Sequence, residues 1–183
     1  MRKIPTLFVR DSEDRAHVLA EVNPECQWVI DGEGVATRKW DGTCTRLDES
    51  GEWWARREVK PGKQPPPNWV EEEADPVTGK RVGWEPMAQS AFAKFHAEAL
   101  HSWTGLRATA GTYELVGPKI NGNPEGHATH LLMPHGTDLL LSSPRDFAGL
   151  REWMAGWSDD NLEGVVWWHP DGRRAKLKVK DFR

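Results

Sequence analysis

Apolar and polar positions alternate over much of this chain, and the alternation predicts its strands. Residues 43–47 and 52–59 read as a hairpin turned at Glu49-Ser50-Gly51. Residues 111–117 read as a buried strand. Residues 27–30 and 34–38 read as short strands meeting at Asp31-Gly32, and 131–133 and 138–141 as two more. A last hairpin joins 162–169 to 174–179 around Pro170-Asp171-Gly172. A helical period is clearest over 87–103, where Met87, Ala91, Phe92, Phe95, Ala99 and Trp103 recur three or four apart. A second helix is predicted to start at Ser143-Pro144-Arg145-Asp146, with serine as its cap, and to run to about residue 157. The charged stretch 11–21 reads as a short helix. Proline-rich 61–68 and polar 71–81, broken by Pro76 and Gly79, read as loops. Short antiparallel strands with a few helices predict an α+β fold, and 183 residues suffice for a single domain over 1–183.

The net charge of −4 does not suit a general nucleic-acid binder, which is usually basic. Basic residues do cluster at Arg56, Arg57, Lys60 and Lys63 and again over 173–180, and such patches can track phosphates. Cys26 and Cys44 form no CxxC pair and read as free thiols in a reducing compartment. The N-terminus has no apolar signal region and no apolar run is long enough to span a membrane. The expectation is a cytoplasmic protein with no membrane partner. Eleven tryptophans against one tyrosine is an unusual ratio that the sequence alone does not explain.

Candidate chemistry begins at Lys39-Trp40-Asp41-Gly42, between two predicted strands. By average composition a K-x-D-G match arises by chance in roughly one chain of this length in thirty, so alone it marks no more than a tight turn. Three later clusters add to it. Arg56 and Arg57 share a charged strand, which is either a solvated face or a phosphate contact. Glu114 interrupts a core run, and a buried carboxylate needs a partner or a ligand. Glu163 opens an apolar strand, and Lys176, Lys178 and Lys180 alternate soon after, so all three are predicted on one strand face. That face is either a polar exterior or a cationic wall for phosphates. A lysine becomes a nucleophile when nearby cations and a dry pocket loosen its proton. Two glutamates can hold a divalent ion through oxygen. Ion and lysines together would neutralise a nucleotide and its pyrophosphate leaving group, giving a lysine–nucleotide phosphoramidate.

The order of these motifs resembles that of the covalent nucleotidyltransferase superfamily of ATP-dependent ligases and mRNA capping enzymes. A closer resemblance is to the single-domain 5'-to-3' RNA ligase family of vertebrates, bacteria and viruses. It is carried by residues 39–44 (KWDGTC), 56–61 (RREVKP), 114–124 (ELVGPKINGNP) and 130–136 (HLLMPHG). The resemblance implies an adenylation domain of antiparallel sheets flanked by helices, with no OB domain. It implies that Lys39 takes AMP, that Glu114 contacts the ribose or the metal, and that Arg57 reaches the ribose or a phosphate. Glu163 would help to place the metal, and Lys176 and Lys178 would hold the α-phosphate and orient the leaving group. Thr37 and Arg38 would line the adenine pocket with their backbone. Arg56, Lys119, Asn121 and Asn123 are weaker candidates for substrate contacts, the two asparagines reading equally well as turn residues. His130 and His135 read as structural rather than as metal ligands.

The implied cofactors are ATP, favoured over NAD by the short segment before Lys39, and Mg²⁺ or Mn²⁺. The implied partner is RNA with 5'-phosphate and 3'-hydroxyl ends, and the length and polarity of the stretch 61–83 suggest an RNA contact or a lid. Two rival readings are a DNA nick ligase on the same fold and a non-catalytic module that binds RNA ends or nucleotides.

Overall fold

Two antiparallel sheets, one of six strands and one of three, carry most of the described chain, and a two-stranded ribbon accompanies the smaller. The computed structural model describes residues 3–103, 107–158 and 161–182. In chain order the strands are β1 (Phe8–Arg10), β2 (Val18–Val22), β3 (Val35–Lys39), β4 (Thr43–Leu47), β5 (Trp53–Val59) and β6 (Val70–Ala74). They continue as β7 (Arg81–Pro86), β8 (Gly111–Val116), β9 (Leu131–Pro134), β10 (Gly164–Trp168) and β11 (Arg174–Lys178). The helices are α1 (Gln27–Ile30), α2 (Ala93–His101) and α3 (Phe147–Ala155). Contacts group the chain into two compact units. The terminal unit joins Lys3–Trp40 to Gly136–Arg183, and the middle unit is Asp41–His135. The chain therefore changes unit inside Lys39-Trp40-Asp41-Gly42.

In the terminal unit the sheet order is β11-β10-β3. Its core gathers Leu7, Phe8, Trp28, Val29, Leu150, Met154, Val165, Trp167 and Leu177. Residues 27–30, expected as a strand, are a short helix. Asn23 accepts the Glu25 N–H at 3.1 Å and Pro24 opens the turn before it, which rolls Trp28 and Val29 into the core. Residues 11–21, expected as a helix, begin as turns in which Asp11 and Asp14 accept the N–H groups of Glu13 and Ala16. The chain then enters β2 and pairs with β1. The cap of α3 is Asp146, which accepts the Gly149 N–H at 2.9 Å, and not Ser143. Arg145 turns away and donates to the carbonyls of Val29, Glu33 and Gly34 at 2.8, 2.5 and 2.9 Å. The strand expected at 138–141 is reduced to one bridge, Leu139 to Thr37, on the outer side of β3.

In the middle unit the order is β6-β7-β5-β4-β8-β9. The β4–β5 turn is closed by Asp48, which accepts from the Ser50 hydroxyl at 2.6 Å, the Ser50 and Glu52 N–H groups at 2.9 Å and the Trp54 indole at 2.8 Å. Residues 71–81, expected as a loop, instead build most of β6 and the start of β7. A sheet edge tolerates the run of glutamates because one side has no strand partner. Residues 61–69 and the β6–β7 turn at 75–80 keep the loop character expected of the whole stretch to 83. The predicted helix at 87–103 is shortened to α2, because the backbone at Ser90 is extended. Its inner face joins a core of Leu47, Ala99, Tyr113, Leu115, Ile120 and Leu132.

Among the described residues, five arginines lie over six tryptophans, at 3.7–5.6 Å from the ring centroids. Indole is the strongest aromatic partner for a guanidinium, which supplies a reason for tryptophan over tyrosine at these positions. Cys26 and Cys44 are free and buried. No helix among the described residues is long and apolar enough to cross a membrane.

His96 gives the middle unit a dependence on pH. It is 3 % exposed, packs edge-on against Trp53 at 4.5 Å, and its Nε2 makes no hydrogen bond. Burial pushes the imidazole down from 6.5 to about 4. Between those values the unfolded chain binds a proton that the folded chain refuses. The stability His96 contributes is therefore complete above pH 6.5 and is lost as pH falls toward 4. The loss should be on the order of 2–3 kcal/mol. Urea melts at pH 7 and pH 4 should show a drop for the wild type that is smaller, by about that amount, in His96→Phe.

Candidate functional site

Each unit holds one cluster of candidate residues. In the terminal unit the register places Gly164 of the central strand opposite Lys39 on one side and Lys178 on the other. One step along, Val166 lies opposite both Thr37 and Lys176. Period-two alternation then puts Lys39, Lys176 and Lys178 on one face of the sheet. Glu163 precedes β10 and its carboxylate bridges two ammoniums, one oxygen on Lys39 and the other on Lys178. The lysine side chains are 20 % and 22 % exposed and that of Glu163 is 9 % exposed, so water screens the bridge poorly. Burial alone would raise the Glu163 carboxyl, but Lys39 and Lys178 outweigh it and hold the group below the usual carboxylate range. Lys176 is pushed down to about 8, first by burial and then by the charges of Lys39 and Lys178.

Three lysines thus share one carboxylate. The nearby Asp181 is committed elsewhere, to Arg10 at 2.8 Å and to the Lys178 N–H at 2.8 Å. The cluster carries an excess of positive charge that an anion would neutralise. Lys180, expected on the same face, is not there. The chain leaves the strand after Lys178, and Lys180 is exposed on a 3-10 turn, Val179–Asp181.

The neighbours expected to line an adenine pocket are partly used within the sheet. The Thr37 hydroxyl donates to the Val166 carbonyl and accepts from the Trp168 indole, both at 3.0 Å. The Arg38 guanidinium lies 3.7 Å over the Trp40 ring. The register brings an aromatic to this face, because Trp168 lies opposite Val35 and Arg174 and shares the face of Lys39.

In the middle unit, β8 carries Glu114 opposite Cys44 of β4 and Met133 of β9. His135 follows β9, and its N–H donates to the Thr112 carbonyl at 3.1 Å. Its Nε2 lies 2.8 Å from a Glu114 oxygen and its Nδ1 2.9 Å from the Thr112 hydroxyl. Cys44 is pushed up to about 12, by burial first and then by Glu114. Its thiol, the Glu114 carboxylate and the His135 imidazole offer atoms within 4.8 Å of one another. Continuing the β4–β5 register brings Arg56 opposite Cys44, on the Glu114 face. Arg57 belongs to the other face and lies 4.0 Å from Glu85. His130 is set between Glu98 and the Pro118 carbonyl and stacks on Phe95 at 4.7 Å.

The second half of the lysine motif is built into this unit. A Cβ on Gly42 would meet the Leu115 carbonyl at 2.2 Å, so only glycine lets β8 come this close. Asn121 donates to the Asp41 carboxylate at 3.1 Å and to the Gly42 carbonyl at 2.6 Å. Lys119, Asn121 and Asn123 all have positive φ, at 71°, 45° and 54°. The turn reading thus describes both asparagines, and Asn121 also holds the motif.

The expected magnesium ligands do not fit a resident hard cation. Both oxygens of Glu163 are taken by lysines, and Glu114 is grouped with sulfur and nitrogen donors, not with oxygens. Glu163 is thus better described as the carboxylate that holds the two lysines than as the metal ligand expected from sequence.

Comparison with known proteins adds to this geometry. A family profile described as RNA ligase 1 matches residues 105–182, the stretch that contains Glu114, Glu163, Lys176 and Lys178. The similarity is to RNA ligases. RNA ligase 1 of Pongo abelii is 42 % identical over 72 residues, which cover 36 % of this chain. That of Danio rerio is 35 % identical over 72 residues. In both alignments the chain spans 22 % of the relative's length. RNA ligase 1 of Rattus norvegicus is 24 % identical over 256 alignment positions that take in 96 % of this chain and 79 % of the relative.

Proposed function

We propose that this protein is an ATP-dependent RNA ligase of the covalent nucleotidyltransferase type, working through a lysyl-AMP intermediate on Lys39. The observation that carries the reading is the bridge from Lys39 through Glu163 to Lys178, with Lys176 on the same face. The similarity to proteins named RNA ligase 1 supports RNA as the acceptor.

The nucleotide enters as its complex with magnesium or manganese, and that ion belongs to the substrate. Lys176 and Lys178 hold the α-phosphate. Lys39 gives up a proton, which leaves through the Glu163 carboxylate to solvent, and its Nζ attacks the α-phosphorus. A P–N bond forms, the bond to the bridging oxygen breaks, and pyrophosphate departs with the electron pair. An RNA 5'-phosphate then takes the AMP from Lys39, which leaves the 5' end adenylylated. A 3'-hydroxyl attacks that end and AMP is released. Glu114 keeps the ribose role that the resemblance gives it as part of the proposal.

Incubation with magnesium and ATP labelled at the α-phosphate, followed by a denaturing gel, tests the reading. Label on the wild type and none on Lys39→Ala is the expected result. Folded, initially unadenylylated protein that takes no label would overturn it. Nicked duplexes with RNA or DNA on each side of the break then separate an RNA ligase from a DNA one.

A further inference from the structure

We propose that His135 is a positioning residue that fixes the Glu114 carboxylate for the two hydroxyls of a ribose, and so makes the site prefer a ribonucleotide to a deoxynucleotide. This rests on the ribose role proposed for Glu114 and names the residue that prepares Glu114 for it. Strand pairing brings the two together. The His135 N–H donates to the carbonyl of Thr112, which stands two positions before Glu114 on the same face of β8.

The contact divides the carboxylate into a held oxygen and an offered one. Oε2 lies 2.8 Å from His135 Nε2. An ionised carboxylate only accepts, so the proton of this bond sits on Nε2. At the far side of the ring, Nδ1 lies 2.9 Å from the Thr112 hydroxyl, which donates or accepts as the imidazole requires. Among the described residues Oε1 has no hydrogen-bond partner, and the Glu114 side chain keeps 11 % of its surface exposed. An oxygen with two lone pairs suits a pair of adjacent hydroxyls. A glutamate that had to be ordered by the sugar would lose rotamer freedom on binding, and His135 removes that cost in advance.

Arg56 is the rival partner. It lies opposite Cys44 on the Glu114 face, and a guanidinium takes both oxygens of a carboxylate in one fork. The bond to His135 keeps Glu114 out of that fork. Nearby groups are neutral or committed: the Cys44 thiol is pushed up to about 12, Arg46 lies 4.8 Å over the Trp84 ring, and Glu72 accepts the Trp84 indole N–H at 2.5 Å. Without His135, both oxygens of Glu114 are released to Arg56 and neither is held for the sugar.

Equilibrium binding of ATP, 2'-deoxyATP and 3'-deoxyATP, with magnesium, tests the inference on the whole chain carrying Lys39→Ala, which has no lysine at 39 to take AMP. With His135 present, ATP should bind about tenfold more tightly than either deoxy analogue, the worth of a hydrogen bond to a charged group. Adding His135→Ala should shrink that preference to about twofold or less. His135→Gln, with an amide N–H to replace the Nε2 donor, should recover most of it. Thr112→Val should lose part of it, and carries the test if His135→Ala does not fold. His101→Ala, at an exposed histidine of α2, should leave the preference unchanged. Circular dichroism confirms the fold of each variant. A merely structural His135 would weaken all three nucleotides alike and leave their ratio unmoved. Equal binding of the three nucleotides with His135 present, or a ratio that neither His135→Ala nor Thr112→Val changes, would overturn the proposal. AMP labelling of the wild type is read separately. A ribose preference without labelling removes the ligase reading and leaves the subsite, and labelling without the preference does the reverse.

Discussion

Glu163→Gln should lower the rate of Lys39 labelling by about a hundredfold, equivalent to about 2.7 kcal/mol of barrier, while ATP binding stays as tight as in the wild type or tightens. Glutamine keeps the size of the side chain but has one acceptor oxygen and no charge. It can hold one of the two ammoniums that the carboxylate holds. Lys39 and Lys178 then repel each other and Lys176 without the charge that joined them. The extra positive charge favours a bound triphosphate, so the defect should fall on the chemical step. Single-turnover labelling across a range of ATP concentrations separates the two effects. A loss that excess ATP fully restores would show that Glu163 serves binding and not the positioning of Lys39. A melting curve close to that of the wild type excludes a folding defect.

The largest expected loss of stability is at Gly164. A Cβ there would lie 2.1 Å from the Leu177 carbonyl oxygen and 2.7 Å from the Lys178 Cα. Both are backbone atoms of the neighbouring strand, so no rotamer change relieves the clash, and β11 must move away from β10. Both edges of β10 are paired, which leaves that movement nowhere to go without breaking hydrogen bonds. Gly164→Ala should therefore cost more than about 3 kcal/mol and lower the melting temperature by about 10 °C. Gly156→Ala is the control, because a Cβ there meets nothing within 4 Å. Tryptophan fluorescence melts report both variants. A Gly164→Ala protein melting within two degrees or so of the control would refute the steric argument.

Local chemistry made part of this architecture readable. The turn at Asp48 and the hairpin on either side of it follow from a short polar break between alternating runs. Lys176 and Lys178 share a face because strands alternate. Lys180 breaks the pattern because the Asp181 carboxylate binds the Lys178 N–H and turns the chain. The short helix at Gln27–Ile30 was hidden by its brevity, since a four-residue run around a buried pair, Trp28 and Val29, looks the same in a strand or a helix. Its start signals, Asn23 and Pro24, lay just outside it. The pairing of His135 with Glu114 is not legible along the chain, because the two are 21 positions apart and meet only through strand pairing. Cys44 and Arg56 reach the same face by the same means. Register is a long-range property, and a residue pattern read along one strand does not contain it.

The strand that carries Lys39 has its main partner far along the chain. Thr37 and Val166 are joined by a hydrogen bond across 129 positions. The described part of the middle unit, by contrast, is the continuous stretch Asp41–His135, complete once His135 has been made. On a ribosome, where domains fold as their residues emerge, β3 must wait unpaired while the whole middle unit is synthesised. It acquires β10, and the lysines of β11, only after residues 164–178 have been made. A nascent or truncated chain can therefore hold a finished middle unit and still have no assembled lysine cluster. Closing so long a loop is also slow, so the lysine cluster is expected to assemble after the middle unit.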